Sequence, residues 1–178
     1  MSIKITTLVE NSVYGKGLQG EHGLSLLVDT GEHRLLFDTG ASDLFIRNAR
    51  ILGIDLKEVD FLVLSHGHRD HTGGLHHFLA VNDKAQVVCK RELFQPKFKD
   101  ERENGVMQPD ALDSTRFRFV DEVTELCRSV FVFPQLPVTD EEDTHFEHFF
   151  TWAEGRKQAD TFTDELALVL KQALKCPC

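Results

Sequence analysis

Three stretches of the chain predict an α/β fold. Phe61–Leu64 is an apolar run of buried-strand length; it breaks at Ser65 and, after a polar loop, gives way to the apolar start of a helix at Leu75–Val81. Arg34–Phe37 repeats that order, with Asp38-Thr39-Gly40 ending the strand before a helix whose apolar face is Leu44, Phe45, Ala49 and Leu52. Ile3–Val9 alternates apolar and polar residues, as a half-exposed strand does.

The remaining elements follow in order. Asn11–Gly23 carries Gly15, Gly17, Gly20 and Gly23 and reads as a loop near the strand ends. Leu24–Asp29 and Arg34–Phe37 form a hairpin across Thr30-Gly31-Glu32-His33. Ser42 or Asp43 caps the first helix and Gly53 ends it. Gln86–Cys89 is a strand, Arg91–Phe94 a short helix or turn, and Lys97–Gln108 a charged, exposed stretch. Phe117–Val120 and Val130–Phe133 are strand candidates separated by Asp121–Cys127. Pro134–Asp143 is a loop whose acidic run, Asp140–Asp143, reads as solvated surface. A last strand, Leu166–Leu170, follows Asp164 and Glu165.

At 178 residues the chain suits one domain with a sizeable core. Its net charge of −9 argues against non-specific binding to nucleic acid or an anionic membrane. No apolar run approaches membrane-spanning length, and Met1–Thr6 lacks the regions of a signal peptide, so a cytoplasmic protein is expected. Cys89 and Cys127 lie in apolar surroundings and read as reduced core thiols. Cys176 and Cys178, on a terminus, would make a poor chelate.

The chemistry concentrates after the Phe61–Leu64 strand, where His66, His68, Asp70 and His71 fall within six positions. His66 and His68 are two apart, so from an extended strand end both imidazoles can face one ion. Asp70 and His71 follow a turn and face a second point nearby. Imidazole with some carboxylate favours zinc, then iron, manganese or cobalt, as one or two ions. Asp38 reads by spacing as a strand-end turn residue, with orientation of a metal-binding histidine as the functional alternative. His22 either rims the site or is exposed. His145 and His148, three apart, could share a helix face among Phe146, Phe149, Phe150 and Trp152, a cluster suited to packing or a substrate wall.

His66-x-His68-x-Asp70-His71 resembles the H-x-H-x-D-H signature of the metallo-β-lactamase superfamily. The resemblance implies an αββα sandwich in which His66 and His68 bind one metal and Asp70 and His71 the other. It also implies that Asp38 orients a ligand. His68 stands where the diiron flavoprotein branch has Glu, which favours a zinc-type hydrolase. Gly20–Ser25, Leu36–Gly40, Leu52–Asp55 and Ser65–Gly74 recur in this order in one branch. That branch is similar to the dihydropterin/ribofuranosylaminobenzene 5'-phosphate synthases of methanopterin biosynthesis. The similarity extends from about Ile3 to Lys171, which makes 1–171 a partial domain and 172–178 an irregular tail.

In that branch a Gly-Cys-Ser-His-like segment and a further His follow the last strand and complete the two metal positions; here the chain runs through Lys171–Lys175 to Cys-Pro-Cys. The expectation is therefore a fold whose second half is incomplete, and the shortening raises the chance of a homo-oligomer. The expected function is that of a metal-dependent hydrolase, or a related transferase. It would direct a metal-bound hydroxide, oriented by Asp70, at an ester, phosphoester or related small molecule. His22, His145 and His148 are candidates for the substrate pocket. The alternative is an incomplete protein, inactive alone, that serves as a partner subunit or binding module.

Overall fold

The computed structural model describes residues 3–137 and 147–171. Strands β1 (Lys4–Val9), β2 (Ser25–Asp29) and β3 (Arg34–Phe37) form an antiparallel meander in which Leu27 faces Leu36. The β2–β3 turn closes as expected, because Thr30 Oγ1 both donates to the His33 carbonyl and accepts the His33 amide. Helix α1 (Leu44–Ile51) follows, then β4 (Phe61–Val63), α2 (Arg69–Thr72), α3 (Leu75–Val81) and β5 (Gln86–Cys89). Next come β6 (Lys97–Lys99), β7 (Arg102–Glu103) and β8 (Phe117–Phe119). The described elements end with β9 (Thr124–Cys127), β10 (Val130–Phe133), β11 (Phe149–Ala153), β12 (Arg156–Ala159) and β13 (Ala167–Leu170).

These strands make three sheets: β1-β2-β3-β4-β5-β8, β13-β10-β9 and β12-β11-β6-β7. In the first, β3, β4, β5 and β8 are parallel. Parallel pairing needs crossovers, and α1 and then α2–α3 supply the two that join β3 to β4 and β4 to β5.

The period-two alternation of the strands decides what lies on each face. Leu36, Leu62, Leu64 and Val87 point to one side and pack with Phe45 and Ala49 of α1 and Leu75 and Phe78 of α3. Leu35, Val63 and Val88 point to the other, against Val130 and Val132 of β10 and Leu166. The described residues thus stack helices, the long sheet and the three-stranded sheet, an α/β arrangement of metallo-β-lactamase-like type. Both faces of β3, β4 and β5 are covered, which is why these segments are almost wholly apolar. Burying one such Leu contributes about 1.5–3 kcal/mol relative to exposing it.

Where a parallel sheet is covered on both faces, the loops at the carboxyl ends of its strands are the places open to a ligand. Here those loops are Asp38-Thr39-Gly40 after β3, Ser65–His68 after β4 and Arg91–Phe94 after β5.

Two local expectations are corrected. Lys97–Gln108 is not uniformly exposed: it contributes β6 and β7, and the Lys97 side chain is fully buried. His148 is not on a helix but in the turn before β11; His145 lies outside the described residues, as do Asp140–Asp143 and the 172–178 tail. Among the described residues no helix is long and apolar enough to cross a membrane.

Candidate functional site

The site begins with Asp38. Its backbone lies in the left-handed region, φ 59°, which aspartate tolerates better than most side chains. It is fully buried, its amide donates to the Val63 carbonyl, and its carbonyl accepts from Ser25 Oγ, so the strand ends of β2, β3 and β4 fix it. Its carboxylate reaches across to the loop that carries His66, His68, Asp70 and His71. Oδ1 accepts the Ser65 amide at 2.7 Å; Oδ2 accepts Ser65 Oγ at 2.7 Å and lies 2.8 Å from His71 Nδ1. Asp38 therefore engages a motif histidine, a contact that its spacing alone does not give.

This chain of contacts also selects tautomers. Ser65 Oγ gives its proton to Asp38, so at His66 Nδ1, 2.9 Å away, it acts as an acceptor. Nδ1–H of His66 and Nδ1–H of His71 are thus both engaged. Of the nitrogens of these two rings, Nε2 is the one left to act elsewhere. The rings are close: centroids of His66 and His71 lie 4.2 Å apart, and those of His66 and His68 lie 4.9 Å apart.

His68 is 2% exposed, and its Nε2 is a buried nitrogen with no hydrogen-bond partner. Asp160 Oδ2 is 3.4 Å away but too poorly aligned to count as one. A buried, unsatisfied imidazole nitrogen is costly without a ligand, and a cation would satisfy it. On that observation the donor chemistry fits a metal ion. The set is not closed: among the described residues, no group of three or more His, Cys, Asp or Glu donors converges tightly enough to hold one.

Asp70 and His71 stand on α2, with Asp70 Oδ2 3.6 Å from His71 Nε2. The same oxygen is 3.4 Å from Nε2 of His22, whose Nδ1 meets Asn11 Oδ1. His22 thus stands beside Asp70 while its side chain stays largely exposed. The loop is brought there by Gly23, φ +140°, where a Cβ would lie 2.2 Å from the Asp70 carbonyl oxygen. The neighbouring Glu21 carboxylate accepts the Ala41 and Ser42 amides and ties this loop to the entry of α1. His148 is drawn elsewhere, to Asp100 in the β6–β7 turn at 2.9 Å.

Electrostatics separate the histidines. Burial, aided by His71, His68 and Lys97, pushes the His66 pKa down to about 2. Burial also works against protonation of His71, but the hydrogen bond and charge of Asp38, joined by Asp70 and Glu165, outweigh it and raise its pKa. Burial alone would raise the carboxyl of Asp160, yet its contacts with His68 and Lys97 bring it down to about 2.

Three side chains surround His68, and of these sequence reasoning singled out only Phe149, within its aromatic cluster. Phe149 and Phe162 pack against His68, with centroids 4.9 and 4.8 Å away, and shield that imidazole from water. Asp160 contacts it directly. The aromatic cluster around Phe149 was a signal for the first; Phe162 and Asp160 sit in a loop with no periodicity to mark them.

Comparison with known proteins places the chain in a family. The chain is 27% identical to an uncharacterised protein of Methanocaldococcus jannaschii over 98% of its own length and 68% of that protein. It is 28% identical to the 7,8-dihydropterin-6-methyl-4-(beta-D-ribofuranosyl)-aminobenzene-5'-phosphate synthase of the same organism, over 95% of this chain and 64% of the synthase. Among solved structures, Tm1679, a metal-dependent hydrolase of the beta-lactamase superfamily, is 32% identical and superposes with a TM-score of 0.73. That match covers 95% of this chain and 61% of the other, so the chain spans about two thirds of the relatives it matches. Residues 18–163 match the family description of the metallo-beta-lactamase superfamily, and they contain every motif residue described above. The chain belongs to the metallo-β-lactamase superfamily.

Proposed function

We propose that this chain carries the histidine site of a metal-dependent hydrolase-type enzyme, acting on an ester, phosphoester or related bond of a small molecule. The observation that carries the reading is the shared polarity of the three motif histidines. Ser65 and Asp38 occupy Nδ1 of His66 and His71, while Nε2 of His68 is buried without a hydrogen bond. His66 and His68 would hold one ion, and Asp70 and His71 a second. Zinc suits these donors best; iron and manganese also suit them. When bound, such an ion supplies Lewis acidity at the reacting bond and lowers the pKa of water.

The chain's own residues do the rest. Asp38 orients His71 and raises its affinity for a positive charge. Asp70, with Oδ2 between the Nε2 atoms of His22 and His71, is placed to orient the attacking water. Phe149 and Phe162 exclude water from His68. The synthase relative extends the reaction class to transfer onto an acceptor other than water. The net charge of −9 supports neither nucleic acid nor an anionic membrane as partner.

Metal content of the purified, untagged chain tests the reading. About two zinc or iron ions per chain, reduced by His68→Ala together with turnover, is the expected result; turnover retained in His68→Ala would sink it.

One observation favours a second reading. Among the described residues no three His, Cys, Asp or Glu donors converge on one point, whereas a catalytic zinc takes three protein ligands. In this reading the chain acts as a partner subunit or binding module, or as one protomer of a homo-oligomer that completes its sites. It predicts weak, substoichiometric metal and no hydrolysis of generic esters by the isolated chain.

A further inference from the structure

A lysine is almost never fully buried unless paired, and the Lys97 side chain is 0% exposed. Its Nζ lies 3.1 and 2.9 Å from the two oxygens of Asp160 and 2.7 Å from Asp164 Oδ1. Both carboxylates also reach the ligand loop. Asp164 Oδ2 accepts the amide of Gly67, the residue between His66 and His68, at 2.6 Å. Asp160 Oδ2 faces His68 Nε2 at 3.4 Å, and its Oδ1 accepts the amide of Phe162 at 2.9 Å. The Phe162 ring in turn packs against His66 at 5.8 Å and His68 at 4.8 Å. Short hydrogen bonds therefore lead from one ammonium through two carboxylates to the Gly67 and Phe162 amides, while Asp160 Oδ2 and the Phe162 ring lie against the His68 imidazole.

Stability alone is a poor explanation for such a cluster. The desolvation cost of buried ions often cancels their attraction, and apolar replacements of similar volume are often as stable. What a satisfied buried network does provide is direction: it holds its members in one geometry. Two carboxylates around a single ammonium also leave negative charge beside His68.

We propose that Lys97 is a positioning residue of the histidine site, acting through Asp160 and Asp164 to fix the Gly67 backbone and the orientation of the His68 imidazole. Its functional meaning rests on the cation-site reading above; the brace itself is tested on metal-free protein. Zinc stoichiometry of the unaltered chain reports on the former, and histidine spectroscopy on the latter.

The experiment uses the full chain labelled with ¹⁵N at histidine and records long-range ¹H–¹⁵N ring correlations at pH 7. In the unaltered protein His68 gives one sharp tautomer pattern. Lys97→Met broadens that pattern or shows both tautomers, while His33, a control whose contact is to Asp60, keeps its own. Where zinc binds, its affinity falls at least tenfold. Asp164→Asn, which keeps the shape and removes one charge, is read in the same way and decides the matter should Lys97→Met not fold. It is expected to move the Gly67 amide and the His68 ring signals together. A folded variant with His68 signals identical to those of the unaltered chain overturns the proposal.

Discussion

Asp38 Oδ2 lies 2.8 Å from His71 Nδ1, and the same carboxylate takes both the amide and the hydroxyl of Ser65. One buried group thus sets the tautomer of His71 directly and that of His66 through Ser65. Asp38→Asn keeps a side chain that tolerates the left-handed backbone but offers one acceptor oxygen where three donors converge. Partners that orient metal-binding histidines are worth roughly 10–100-fold in metal affinity, and an unsatisfied buried donor costs about 1–3 kcal/mol. Zinc titration calorimetry and urea unfolding should therefore show losses of that order in Asp38→Asn. Unchanged zinc affinity in a destabilised variant would reduce Asp38 to a fold residue.

The pH dependence of the metal-free protein follows from His66. Its folded pKa, pushed down to about 2 by burial and by His71, His68 and Lys97, lies far below the ordinary 6.5. Between those values the unfolded chain takes up a proton that the folded chain refuses, so stability falls as pH drops below about 6.5. His71 has the opposite sign: its raised pKa gives stability that is complete below 6.5 and lost as pH rises through the folded value. Asp160, lowered to about 2, adds a loss only as pH falls from 3.8 through 2. Urea midpoints measured from pH 7 to pH 5 should decline, and His66→Gln should flatten that decline. A midpoint that rises on acidification would contradict the assigned burial of His66.

How much of this could be read from the chain varies with the range of the interaction. The histidine cluster was legible because His66, His68, Asp70 and His71 are close in sequence and follow an apolar strand. The β2–β3 hairpin and the β3–α1 and β4–α3 passages were legible for the same local reason. Asp38 was half-legible: its spacing says turn, and only the resemblance said orientation. Lys97 and Asp160 were not legible, because a buried ion pair joins residues 63 positions apart. Nothing local distinguishes Lys97 from the exposed lysines around it. β12 (Arg-Lys-Gln-Ala) was missed because its pairing with β11, rather than apolar alternation, makes it a strand.

Thiol reactivity gives an independent check on the core. Burial pushes the Cys89 thiol up to about 12, and burial together with Asp60, Glu125 and Glu32 raises the half-exposed Cys127. The thiolate is the reactive form, so alkylation of native protein near pH 8 should be slow at both. Peptide mapping is expected to find Cys127 modified well before Cys89, with Cys89 reacting only on unfolding. Early labelling of Cys89 would place it outside the core it shares with Leu64 and Val87.

Gly67 tests whether the loop geometry or only its residue types matter. A Cβ there would lie 2.4 Å from the Leu93 carbonyl oxygen and 3.1 Å from Asp164 Oδ2, so the backbone between the two histidines must shift to admit it. Overpacking of this kind costs about 1–3 kcal/mol. Gly53 is the control: a Cβ there meets nothing within 4 Å, but its φ of +70° charges any alanine a left-handed penalty of about 1–2 kcal/mol. Gly67→Ala and Gly53→Ala should thus lose comparable stability by thermal unfolding. Only Gly67→Ala should weaken zinc binding, because only it displaces His66 and His68 relative to Asp38 and Asp164. Equal zinc affinities in the two variants would mean that the imidazoles find the ion without the loop that holds them.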